Sequence, residues 1–150
     1  MQAPQALAIF SEDIRSEATG QDTIIGTLPD NLTVPLPSGM AMPPNAVTAI
    51  PKIGIYVRVN LDSNGTRPKS VAFRLLSTES KIIGQSQWSQ SLIDKAFDDA
   101  KASSMPLAGL ILKVVSGPVL VPKPGQLVAI VTIDGSDIIA GSVNVILPTS

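Results

Sequence analysis

The chain has 150 residues, enough for one domain around a single core, and 44% of them are apolar, 3% aromatic and 15% charged. Its 11 basic and 12 acidic residues leave a net charge of -1, so no field draws it to nucleic acid or an anionic membrane, and neither partner is expected. With no histidine and no cysteine, disulfides, thiolate zinc sites, cysteine nucleophiles and every histidine-dependent triad are excluded within this sequence.

A core of Val, Ile, Leu and Ala, interrupted by 13 prolines and 11 glycines, predicts many short connected strands. The mean hydropathy of +0.30 implies either an aliphatic-rich core or apolar surface that meets a partner. No basic segment followed by an apolar run opens the chain, and no run approaches the ~18–20 apolar residues of a membrane span. A soluble chain without a leader or membrane anchor is the expectation.

Residues 3–10 (APQALAIF) predict a first strand and residues 23–28 (TIIGTL) a second, paired as a hairpin. Residues 11–22 then form the loop at its tip, with an irregular or helical turn at 12–15. This loop holds Glu12, Asp13, Arg15, Glu17 and Asp22. Its carboxylates could hold Ca²⁺ or Mg²⁺, which take several oxygen ligands. The spacing is not that of a calcium loop, and Arg15 stands among the acids. The expected role is an ion pair between Arg15 and Glu12, or a partner's acid.

Residues 28–51 carry Pro29, Pro35, Pro37, Pro43, Pro44 and Pro51, which deny a helix and confine any strand to a sheet edge. The side chains between them are too apolar for a solvated linker. The segment reads as an extended arm lying on its own sandwich or on a neighbouring subunit. The expected interaction residues are Arg15 in the acidic loop and Leu32, Val34, Leu36, Met40, Met42 and Val47 in the arm.

Residues 52–61 (KIGIYVRVNL) alternate strictly, with Ile53, Ile55, Val57, Val59 and Leu61 facing one way. Turn residues at 62–65 (DSNG) lead to a second alternating run at 69–76, with Val71, Phe73 and Leu75 inward, and the pair predicts a hairpin. Residues 81–84 give a further short strand. At 86–103 the period changes: Trp88, Leu92, Ile93, Ala96, Phe97 and Ala100 recur at helical spacing, which predicts one amphipathic helix capped by Ser86. Lys95 and Asp99 lie four apart on it, and Pro106 follows its end.

Residues 107–116 (LAGLILKVVS) read as a strand buried on both faces, and residues 117–125 as a connection or edge segment. Residues 126–134 and 137–147 predict two strands joined through Asp134-Gly135, a strong hairpin signal. The run from Pro124-Gly125 through this turn to Ala140-Gly-Ser-Val-Asn-Val resembles the closing hairpin of immunoglobulin-like and C2-like sandwiches. The opening, Ile9-Phe-Ser-Glu-Asp-Ile-Arg-Ser-Glu with Gly20 and Thr23-Ile-Ile-Gly26, resembles a family of small uncharacterised β-rich proteins of bacteria and phages. That likeness implies a phage or prophage origin and carries no activity across. Ser11 departs from it, standing where such proteins often have an apolar residue or cysteine.

The remaining motifs carry little chemistry. Residues 62–65 lack the continuation of a calcium loop, and Asn31-Leu-Thr33 and Asn64-Gly-Thr66 matter as glycosylation acceptors only in a eukaryotic secretory setting. No glycine-rich phosphate loop occurs, and a Ser-Lys pair would meet only in the fold.

The expectation is therefore one all-β domain, an antiparallel β-sandwich of immunoglobulin-like or jelly-roll-like form, with one helix and a proline-rich arm. No catalytic residue, metal or cofactor is assigned. The expected task is that of a subunit of a large assembly, in its most concrete form a capsid-decoration protein of a phage virion. Its partners would be the major capsid or tail protein and further copies of itself; outside a virion it would be cytoplasmic. The alternatives are a binding module that takes a ligand or peptide along a sheet edge, and a hydrolase with a carboxylate metal site at Glu12, Asp13 and Glu17.

Overall fold

The structure is a computed structural model that describes residues 2–33, 48–121 and 125–146. Two sheets pack face to face. The four-stranded sheet has the order β2(Asp22–Thr27), β1(Gln5–Ser16), β5(Ile53–Asp62), β8(Leu107–Ser116). The five-stranded sheet has the order β3(Asn31–Thr33), β11(Ser136–Ile146), β10(Gly125–Ile133), β6(Val71–Leu76), β7(Ile82–Gln87). A short ribbon pairs β4(Thr48–Ile50) with β9(Val119–Val121), and the helix α1 spans Gln90–Ala102. The protein is thus an all-β sandwich with one α-helix among the described residues. Its pairs are antiparallel except β3, which runs parallel to β11 at the sheet edge.

The inward faces follow the period-2 alternation of the sequence. Ile53, Ile55, Val57, Val59 and Leu61 of β5 are all buried, as are Val71, Phe73 and Leu75 of β6. All three phenylalanines and Trp88 are buried, so every aromatic but Tyr56 is spent on the core. The β10–β11 hairpin turns on Asp134 (φ 46°) and Gly135 (φ 86°), the two positive φ values that a type I′ turn requires. Ala140 is the extra residue of a bulge in β11 and points inward. Beside it, Gly141 lets β11 approach β1, since a Cβ there would stand 2.8 Å from the Ala8 carbonyl oxygen.

Several expectations are corrected. The first strand does not stop at Phe10 but runs on through the acidic stretch to Ser16, leaving only Glu17–Gln21 as the hairpin tip, with no helical turn at 12–15. Residues 52–61 and 69–76 are not a hairpin: β5 pairs with β1 and β8, while β6 lies in the other sheet between β10 and β7. The connection at 63–70 crosses between sheets, held where Asp134 Oδ1 accepts from the Lys69 and Ser70 amides at 2.8 and 2.9 Å.

The helix begins later than expected because Ser86 and Gln87 still belong to β7. Ser89 is the cap, its Oγ accepting from the Leu92 amide at 3.3 Å. Ile93, Phe97 and Ala100 form its buried face, whereas Leu92 points outward. Strand β8 is not buried on both faces: Ala108 and Leu110 face the core, and Ile111 and Val115 are exposed. Of the proline-rich segment, β3 and β4 are described; Val34, Leu36, Met40, Met42 and Val47 lie outside the described residues.

Candidate interaction surfaces

The β1–β2 hairpin folds over the outer face of its own sheet. Glycine at position 54 makes this possible, because Ser11 Oγ and Ile14 Cγ1 occupy the space a Cβ would take, at 2.6 and 3.1 Å. Ser11 is fully buried and its hydroxyl donates to Gly54 O at 3.2 Å, with Asp13 O a second acceptor at 3.2 Å. Beyond this point the strand carries its charges onto the sheet.

Asp13 Oδ1 meets Lys52 Nζ at 2.9 Å and Oδ2 meets Arg15 Nε at 3.3 Å. Asp22 Oδ1 meets Lys113 Nζ at 2.8 Å and accepts from Ser16 Oγ at 3.1 Å, tying the hairpin tip to β8 across β5. The Lys52 ammonium, and after it the Arg15 guanidinium, holds the Asp13 carboxyl below the ordinary carboxylate range, and Lys113 with Ser16 does the same for Asp22. Arg15 therefore pairs with Asp13 and not with Glu12. The reason is the pleat: in a strand, residues two apart share a face and neighbours do not. Among the described residues no three acidic side chains gather as a cation site would need. The Glu12 side chain instead lies against Gly26 and Glu17 accepts from Thr23 Oγ1 at 2.8 Å.

Among the described residues no element covers the rest of that outer face. Leu7, Arg58 and Ile111 stand side by side on β1, β5 and β8, with Ile9, Tyr56 and Lys113 in the next row. Leu7 is 56% exposed, Ile111 45% and, beside Ile111 on α1, Leu92 53%. Arg58 Nε donates to Asn60 Oδ1 at 3.4 Å and meets no carboxylate among the described residues. Sequence reading missed this row. Alternation gave the outward positions of β5, but only the register sets Leu7 and Ile111 on either side of Arg58.

A second feature lies between the sheets. A cleft of about 240 Å³ opens between β5 and β8 on one side and β6 and β7 on the other, lined by Ile53, Ile55, Phe73, Leu75, Ile83 and Val114. Its rim strand β7 pairs only with β6 among the described residues, and its sequence IIGQSQ contains neither charge nor proline. Those are the devices that usually protect an edge from pairing with another chain. The edge of β8 is partly covered, since α1 packs along it and Trp88 Nε1 donates to Ile111 O at 3.1 Å.

Of the arm residues expected to touch a partner, Leu32 is described. It is half-buried against the core of its own sandwich, on β3 opposite Val145. No helix among the described residues is long and apolar enough to cross a membrane. Compared with protein-family models, curated proteins and solved structures, the chain matches none.

Proposed function

We propose that the chain is a structural and interaction subunit of a large protein assembly and not an enzyme. Its most concrete form is a decoration protein on the capsid of a bacteriophage virion, with the major capsid or tail protein as partner and further copies placed by the particle's symmetry. The observation that carries this reading is the exposed row of Leu7 and Ile111, continued by Leu92. Ile111 and Leu92 adjoin and Leu7 stands across Arg58 from them, and exposed aliphatic side chains gathered on one face among polar residues mark places where proteins meet. Weak aliphatic contacts of this sort become strong when a closed symmetry repeats them.

The test is sedimentation of the purified chain alone and after mixing with particles purified from its source. A monomer or small oligomer that co-sediments stoichiometrically supports the reading, and Leu7→Ser with Ile111→Ser should weaken the binding. A discrete soluble oligomer with no affinity for any large particle overturns it.

The cleft beside the uncharged β7 edge favours a second reading, a module that accepts an extended peptide by strand addition. Amide shifts at Gln85 and Ser86 on adding a valine-rich peptide, with no binding to particles, would select it. The carboxylate-hydrolase alternative gains no support from Asp13, whose oxygens are engaged by Lys52, Arg15 and the Ile14 amide.

A further inference from the structure

We propose that the Leu7–Arg58–Ile111 row is a docking surface for a protein partner that presents a carboxylate, an aspartate or glutamate set among apolar side chains. The proposal rests on the assembly reading and names the chemistry of the partner.

Arg58 is an exposed guanidinium between two exposed aliphatic side chains. Arg15, Arg67 and Arg74 each reach an aspartate of this chain, at Asp13, Asp94 with Asp98, and Asp137. Arg58 has only the Asn60 amide oxygen, at 3.4 Å, among the described residues. The sequence at 34–47, 122–124 and 147–150 contains no aspartate or glutamate, and Glu79 belongs to the turn between β6 and β7 of the other sheet.

A guanidinium carries five donors in a planar fork that fits a carboxylate with two parallel bonds. Apolar neighbours that close over such a pair exclude water and strengthen it. Leu7 and Ile111 are placed to do this on either side of Arg58.

Charge decides against a second copy, a nucleic acid and an anionic lipid. A two-fold contact of this face with a second copy, centred on the row, sets Arg58 against Arg58, a like-charge contact. A phosphate backbone or anionic lipid needs several free cations. In the neighbouring row Lys113 is already paired with Asp22 at 2.8 Å.

The test measures binding of wild type, Arg58→Gln and Arg58→Lys to particles purified from the source, at about 0.05 and about 0.5 M salt. Arg58→Gln should bind about tenfold more weakly or worse, and Arg58→Lys should recover only part of the loss, because a point charge lacks the fork. The salt dependence of wild type should be steeper than that of Arg58→Gln. A urea midpoint unchanged in Arg58→Gln separates this loss from unfolding. Binding of Arg58→Gln equal to wild type overturns the carboxylate partner and leaves the assembly reading standing; no binding by wild type removes both. Self-association of the chain alone that disappears in Arg58→Gln overturns the proposal in favour of a second copy.

Discussion

At Gly54 a side chain as small as a methyl group has nowhere to go, because Ser11 Oγ and Ile14 stand over it. Gly54→Ala should destabilise the protein by about 1–3 kcal/mol in urea unfolding, as overpacking of a filled site does. Ser11→Ala alone should cost about 1 kcal/mol through the lost buried hydrogen bond. Because Ser11 Oγ is the nearest atom to the new methyl, the double variant should be more stable than the sum of the two losses by about 0.5–2 kcal/mol. Strict additivity would show that Ile14, not Ser11, sets the limit.

A second residue-scale prediction concerns acid. A carboxyl whose folded pKa lies below its unfolded value adds stability that is complete above the unfolded value of about 3.9. That contribution is lost as pH falls through the folded value. Asp13 and Asp22 are both lowered, by Lys52 and Lys113 respectively, so the urea midpoint should fall as pH drops below the ordinary carboxylate range. Lys113→Met should flatten this dependence by returning Asp22 towards its ordinary value. An identical pH profile in Lys113→Met would show that the ion pair across the sheet contributes nothing. The pairing of Arg15 was legible once 12–16 was assigned to a strand, since Asp13 and Arg15 then share a face. It was misread because a run of charges resembles a loop.

Among the elements, the helix separates its two faces cleanly. Phe97, buried beneath Arg67 whose guanidinium carbon lies 5.5 Å from the ring centroid, should cost about 3–5 kcal/mol on truncation to alanine. Leu92→Lys should change stability by no more than about 0.5 kcal/mol while weakening particle binding, since Leu92 borders the exposed row. A large stability loss in Leu92→Lys would place that side chain in the core and remove it from the surface. The helix was legible because its 3.6 period interrupts a chain of period 2, although its start was displaced because Trp88, which precedes it, falls in phase with its apolar residues. Strands β5 and β6 were equally legible as strands, and the error lay in joining them. Alternation reports which side of a strand is apolar and is silent on which strand lies next to it.

In the whole molecule, β5 and β10 each have hydrogen-bonded neighbours on both sides, whereas β3 and β7 are sheet edges. Native-state hydrogen exchange should therefore be slowest for amides of β5 and β10 and markedly faster along β7. Protection of β7 equal to that of β5 in the isolated chain would mean that its edge is covered, and would sink the strand-addition reading. The proposed docking surface belongs to this scale as well. Leu7, Arg58 and Ile111 are far apart in sequence, and each by itself is an unremarkable exposed residue.

The sequence by itself determined the all-β class, the inward residues of β5 and β6, the helix and the hairpin at Asp134-Gly135. Each of these is encoded within a few neighbouring residues, as a repeat of apolar positions or a local backbone requirement. The tertiary structure decided the partition of strands between the two sheets, the folding of the acidic hairpin over Gly54, and the row that flanks Arg58. Those depend on register between distant segments, which is selected by the summed burial of the whole core and leaves no mark in any one stretch of chain.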